Sequence, residues 1–176
     1  MSSIDSVSFH PLGSHVDERG SLTEIFRNEW SLAIEPVQWN VVRSHAGTLR
    51  GVHCHVQHAD ALVVIDGELI LGLIDLRPDS PTEGRSQLHR VDALSTVVFI
   101  PPGVAHGFAF ERPTTMVYAV SEYWNLDDEL GCRWDDPGLG IEWPLSSPTL
   151  SPRDLAAGTL DELRTSVSAQ LRVARG

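Results

Sequence analysis

The sequence predicts an all-β fold, a barrel or a sandwich, accompanied by one helix near the C-terminus, and three observations predict it. From about residue 21 to about 124, short apolar runs rich in Val, Ile, Leu and Thr are separated by Gly, Pro, Asp and Asn, the pattern of closely spaced strands. So many strands in so short a span favour closure or sheet pairing, which removes exposed edges. Behind them, Thr159-Leu-Asp-Glu162 is a capping-box pattern, with Leu160, Leu163, Val167 and Leu171 recurring at helical spacing.

Taken in order, strands are expected over residues 22–26, 38–44 and 49–55. Next comes the clearest hairpin signal, residues 61–74, in which Asp66-Gly67 tolerates the positive φ of a two-residue turn and the two arms should pair antiparallel. Further strands are expected over 87–91, 96–100, 106–110 and 115–121. Arg77 to Gly84 and Ile100 to Val104 read as loops from their Pro and Gly content. The amphipathic helix is expected over 159–171, covering the barrel or a subunit contact. Residues 1–176 are read as a single domain, with the barrel core at about 21–124 and a C-terminal segment at 125–176.

Composition excludes several classes. A formal net charge of -11 with only 13 basic residues argues against a nucleic-acid polymer or an anionic membrane as partner, because both require clustered cations. The first residues lack the basic start and apolar run of a secretory signal, and no apolar stretch approaches the length of a membrane span, so a cytoplasmic protein is expected. Cys54 and Cys132 lie far apart and form neither a CxxC nor a zinc-ribbon spacing, which fits a reducing compartment.

Chemistry concentrates in the histidines. Gly51-Val-His53-Cys-His55-Val-Gln-His58 places His53 and His55 two apart, so on a strand both imidazoles face the same side. His106 follows a Pro-Gly turn. His58 reads as a polar residue at a strand end, and His106 either as a pocket residue or as a hydrogen-bonded barrel histidine. His53, His55, Asp60 and His106 also resemble the two-part cupin metal motif, with Asp60 where cupins usually place Glu. Three imidazoles and a carboxylate suit a divalent metal ion, so a metal-dependent enzyme is the alternative to one that needs no cofactor.

Several separated blocks carry a more specific resemblance. Asp17-Glu-Arg-Gly20, Gln38-Trp-Asn40, Leu49-Arg-Gly-Val-His53, Asp75-Leu-Arg-Pro-Asp-Ser-Pro-Thr82, Ile100-Pro-Pro-Gly-Val-Ala-His-Gly-Phe108, Tyr118, Tyr123, Glu129, Trp134-Asp-Asp136, Gly140-Ile-Glu-Trp-Pro144 and Leu150-Ser-Pro-Arg-Asp154 occur in order over nearly the whole chain. Together they resemble the dTDP-4-dehydrorhamnose 3,5-epimerases and their sugar 3-epimerase relatives. The resemblance implies a cupin-like antiparallel jelly-roll barrel. It also implies epimerisation at C3, and in many members also at C5, of a dTDP-linked 4-keto-6-deoxyhexose.

Removing a proton beside a ketone needs a base near neutral pKa, a partner that fixes its tautomer, and an acid on the other face of the sugar. By resemblance these are His53, Asp154 and Tyr118; by itself, Asp154 would read equally as a cap or a solvent carboxylate. Arg19 and Arg50 match arginines that contact phosphate or sugar, Gln38 and Asn40 polar pocket residues, Tyr123 a residue near the nucleotide base, and Glu24 a partner to thymidine or to an arginine. His55 and His106 complete the substrate-binding set. A homodimer is implied, because in relatives some contacts come from the neighbouring subunit.

One departure stands out. The alignment of Ala61-Leu-Val with the family's Lys-Leu-Val puts Ala61 at the catalytic lysine, which removes a stabiliser of the enolate oxygen. His55, or a cation held by His53, His55 and His106, is expected to compensate. A His53 bound to metal could not also be the base, so the metal and metal-free mechanisms exclude one another. A sugar-nucleotide binding module that lost efficient catalysis is the non-enzymatic alternative.

Overall fold

The computed structural model describes residues 3–30 and 32–174. Ten of its strands form two antiparallel five-stranded sheets. The first contains β1 (Ser8–Pro11), β4 (Gln38–Ser44), β6 (Asp60–Asp66), β9 (Thr96–Ile100) and β11 (Thr114–Val120), in the order β1-β9-β6-β11-β4. The second contains β5 (Thr48–Cys54), β7 (Glu68–Asp75), β8 (Ser86–Asp92), β10 (Val104–Phe110) and the short β12 (Leu130–Gly131), in the order β12-β5-β10-β7-β8. β2 (Ser14–Asp17) and β3 (Gly20–Thr23) form a separate hairpin. Two helices follow, α1 (Pro152–Leu155) and α2 (Leu160–Ala174).

Between the sheets lies the main core, in which Leu62, Val64, Met116 and Val98 of the first sheet meet Leu71, Leu73, Val104 and Phe110 of the second. The outer faces are covered too. Leu32 and Ile34 lie over Ala61, Val63, Val97 and Phe99 of the first sheet. On the second, Leu160, Leu163 and Val167 of α2 pack on Val52, Cys54, Ile74 and Ala105. Double coverage explains why β6 and β7 read as unbroken apolar runs rather than alternating ones. The expected capping box forms at the start of α2: Thr159 N–H donates to Glu162 Oε2 at 2.7 Å, and Glu162 N–H to Thr159 Oγ1 at 3.3 Å.

Three expectations are corrected. The arms around Asp66-Gly67 do not pair: β6 bonds to β9 and β11, β7 to β8 and β10, so the chain steps from one sheet to the other at Gly67. Gly67 has φ +90°, and a Cβ there would lie 2.6 Å from the Pro113 carbonyl, so the corner is tight enough to exclude a side chain. Second, the strand expected over 22–26 ends at Thr23, because Ile25 and Phe26, adjacent in sequence, both pack against the outer cluster and a strand would send them to opposite faces. Third, the sheets begin with β1, before residue 21; this four-residue edge strand ends in Pro11 and gives little pattern to read. No helix among the described residues is long and apolar enough to cross a membrane.

Candidate active site

A cavity of about 510 Å³ opens between the sheets, and His53, His55, Arg50, His106, Tyr118 and Asp154 all line it. Strict alternation would put Arg50 and His53, three apart, on opposite faces. A bulge prevents this: His106 pairs with His53 and Phe108 with Arg50, so two β5 residues oppose one of β10, and the phase of β5 reverses between them. Both side chains therefore reach the cavity.

Asp154 arrives from the C-terminal segment. Thr149 bonds to the start of β5, donating to the Gly47 carbonyl at 2.8 Å and accepting from Leu49 N–H at 3.1 Å. Ser151 then caps α1 by accepting from Asp154 N–H at 3.1 Å, with Pro152 at the first helical position. This turn brings the Asp154 carboxylate to His53, which donates from Nε2 to Oδ1 at 2.6 Å and keeps Nδ1 as the nitrogen with a lone pair. Burial alone would raise the Asp154 pKa, but the His53 and Ser151 hydrogen bonds hold it below the ordinary carboxylate value. The Arg153 guanidinium lies against the imidazole, its Nη2 3.0 Å from Nε2 and 3.4 Å from Nδ1, and is anchored on Glu129.

Tyr118 faces this pair from the other sheet. Burial, helped by the negative charges of Asp60 and Glu129, raises its pKa, so the phenol keeps its proton at neutral pH. His53 and Tyr118 thus stand on opposite walls of one cavity.

Deeper in, His55 and His106 are 7% and 4% exposed, and the carboxyl of Asp60, 6% exposed, joins them from β6. Burial and the neighbouring His58 pull His55 down to about 4, burial with His55 lowers His106, and burial pushes Asp60 up to about 7. His58 is instead raised: burial would lower it, but its Nδ1 lies 2.9 Å from Asp128 Oδ2. The alignment at Ala61 is corrected by this strand. Asp60 and Leu62 line the cavity, whereas Ala61 packs outward against the Leu32 and Ile34 layer, so a side chain there cannot reach the site.

Five other candidates do not line this cavity in the single chain. Arg19, on the β2–β3 hairpin, is 88% exposed and paired with Asp17, and Glu24 is exposed and bonded to Arg27. Arg19 sits in the turn, and Glu24 just after the end, of a two-stranded ribbon that belongs to neither sheet. Tyr123 is 74% exposed, while its neighbour Trp124 lines the cavity and donates from Nε1 to Glu129 at 2.9 Å. Gln38 and Asn40 occupy the cavity-facing side of β4, beyond the lining; Gln38 donates to Asn40 Oδ1 at 2.9 Å, and the buried Asn40 Nδ2 has no partner among the described residues. The alternative four-residue metal set is also corrected. His53 is committed to Asp154, and the groups whose donor atoms converge are His55, Asp60 and His106.

Sequence reasoning missed Arg153, Trp124 and Asp128 as site residues. Each adjoins a residue quoted from the sequence: Asp154, Tyr123 and Glu129. Asp128 enters from a 3-10 turn and accepts from Val56 and Gln57 N–H.

Two antiparallel sheets closed around a lined interior pocket define a cupin-like jelly-roll barrel. The family model described as dTDP-4-dehydrorhamnose 3,5-epimerase matches residues 2–162. A dTDP-4-dehydrorhamnose 3,5-epimerase of Neisseria gonorrhoeae is 36% identical over 81% of the chain, which spans only 46% of that protein's length. The spore coat polysaccharide biosynthesis protein SpsL of Bacillus subtilis is 32% identical, with 80% of this chain and 96% of that protein covered. Among solved structures, a 3'-monoepimerase from Streptomyces bikiniensis in complex with dTDP-quinovose is similar at 31% identity and a TM-score of 0.86, covering 99% of this chain and 95% of that one. A Legionella pneumophila dTDP-6-deoxy-D-glucose-3,5-epimerase, solved with dTDP-4-keto-L-rhamnose, has a TM-score of 0.86 at 30% identity, covering 95% and 94%. The chain belongs to the dTDP-4-dehydrorhamnose 3,5-epimerase family.

Proposed function

We propose that this protein is a nucleotide-sugar epimerase that inverts C3, with or without C5, of a dTDP-linked 4-keto-6-deoxyhexose. The observation that carries the reading is the placement of the His53–Asp154 pair and Tyr118 on opposite walls of one cavity. A sugar ring lying between the walls presents one face to the imidazole and the other to the phenol. His53 Nδ1 takes the proton beside the ketone, the Asp154 carboxylate stabilises the imidazolium through Nε2–H, and the electrons move into an enolate. Tyr118 returns a proton to the opposite face, and inversion is the result.

Arg50, at the cavity mouth, pairs with the diphosphate, and its guanidinium fork suits phosphate oxygens. The unused amide donor of Asn40, cross-strand from Tyr118, supports a polar ligand contact there. The protein acts as a homodimer and a single catalytic domain, with Arg19, Glu24 and Tyr123 of one copy completing the partner's site. The free, buried Cys54 and Cys132 support a cytoplasmic location.

The test is proton NMR with dTDP-4-keto-6-deoxyglucose in deuterated water. Deuterium enters C3, with inverted product accumulating, and His53→Asn stops both. Absence of exchange at C3 and C5 with the intact protein would overturn the reading in favour of a binding module.

A further inference from the structure

The base and the acid leave one requirement unmet: negative charge builds on the ketone oxygen as the proton leaves carbon, and something positive must meet it. The chain offers no lysine for this, since all 13 of its basic residues are arginines. Of the two arginines lining the cavity, Arg50 is assigned to the diphosphate, and Arg153 is held by Glu129 through Nη1 and lies against the His53 ring through Nη2.

On the cavity floor, one donor atom each from His55, Asp60 and His106 lies within 4.8 Å of the others. The hydrogen bonds around them fix their state. His55 Nδ1 meets the Asp128 carbonyl at 3.1 Å, and His106 Nδ1 meets the Val104 carbonyl at 3.4 Å. A carbonyl only accepts, so each Nδ1 carries the ring proton and each Nε2 keeps a lone pair, which has no partner among the described residues. A backbone carbonyl on the second ring nitrogen is also how metal-bound imidazoles are oriented. The Asp60 carboxylate accepts no hydrogen bond among the described residues, and its nearest ion-pairing group, His58 Nε2, is 4.0 Å away. Two imidazoles, each with a free lone pair, and a carboxylate therefore converge on the cavity floor with no donor of the described residues between them, a place suited to a cation or a proton. By contrast, the alternative cluster of His55, His58 and Asp128 is already satisfied, because Asp128 accepts from Val56, Gln57 and His58.

We propose that His55, Asp60 and His106 bind one divalent transition-metal cation on the floor of the cavity, facing the substrate's ketone. Two neutral imidazoles and a carboxylate are a ligand set for such cations and leave coordination positions open. A cation there supplies the positive charge that the enolate oxygen needs. His53 is outside the set, so base and metal act together rather than excluding each other. The placement toward a ketone rests on the epimerase reading; the binding of metal does not.

The test uses the full chain, stripped with a chelator and titrated with cobalt(II), followed by visible absorption and by elemental analysis after dialysis. One equivalent per chain is expected, with a d–d band, and Asp60→Asn and His106→Gln each lose it while their near-ultraviolet circular dichroism stays native. His45→Gln, in an exposed loop, keeps it. Should one of the two ligand variants unfold, the other decides. No cobalt uptake, or equal uptake by a folded ligand variant, overturns the site and leaves a proton on Asp60 as the occupant. Deuterium exchange into the ketosugar, measured on the same samples, separates the two readings. Exchange that is intact in stripped protein and unchanged by cobalt overturns the role toward the ketone but spares the epimerase. Cobalt uptake without exchange overturns the epimerase and spares the site.

Discussion

The shortest contact of His53 is with Asp154, which in the proposed reaction contributes in two ways: it accepts the Nε2 proton, which selects the tautomer, and its charge stabilises the imidazolium. An asparagine at 154 keeps an acceptor but loses the charge. Asp154→Asn is therefore expected to lower kcat about a hundredfold or more, within the range for an impaired general base, with little change in KM. Initial rates of C3 deuterium exchange check this, and a rate within threefold of the native one would detach Asp154 from the chemistry. Asp60 and Ala61 make the same point about position. They are neighbours, yet one faces the cavity and the other an outer apolar layer, so a one-residue difference in alignment decides which of them bears on catalysis.

At the scale of elements, two conspicuous sequence blocks turn out to be structural. Asp75, at the end of β7, is fully buried; its carboxylate accepts from Arg77 Nε at 2.8 Å, Ser80 Oγ at 2.6 Å and Thr82 Oγ1 at 2.7 Å, pinning the loop to β8. Burial would raise its pKa, but these donors hold it down to about 2. A folded value below the unfolded one gives stability that is present above about pH 4 and lost as pH falls toward 2. Asp75→Asn should thus unfold more easily at pH 7, by about 2 kcal/mol, with the difference from the native protein shrinking across that acid window in urea titrations. The other block contains Trp143, whose ring lies against Gly72 of β7 and Gly107 of β10, a cross-strand pair; a Cβ on Gly107 would come 2.9 Å from it. The glycines form a slot that anchors the segment leading to Asp154. Gly72→Ala pushes the ring out at a cost of about 1–3 kcal/mol. The expected readout is a lower Tm together with reduced exchange activity, because the docking of the C-terminal segment loosens.

For the whole molecule, the β2–β3 ribbon and the outer face of β4 are the features left over. The ribbon belongs to neither sheet and exposes Val16 and Leu22, while β4 exposes Trp39 and Val41 at the edge of the first sheet. A lone two-stranded ribbon is marginal in water, and apolar side chains on an edge strand invite pairing. Sedimentation should give a dimer at micromolar concentration, and Val41→Glu should shift it toward monomer while lowering substrate affinity. A native protein that sediments as a monomer would remove the reason for assigning Arg19 and Tyr123 to a partner's site.

The sequence by itself determined the class of fold, most of the strands, the C-terminal helix with its cap, and the imidazoles of the pocket, because strand spacing, capping and side-chain type are local properties. His53 and Asp154, 101 residues apart, could be paired from the sequence only by resemblance. Tertiary structure alone decided that the arms around Gly67 part into different sheets, that a bulge turns Arg50 to the side of His53, and that Asp60 rather than Ala61 reaches the pocket. Each of these depends on which strands become neighbours and which faces are covered, and with β6 and β7 buried on both sides, no alternation was left in the sequence to record it.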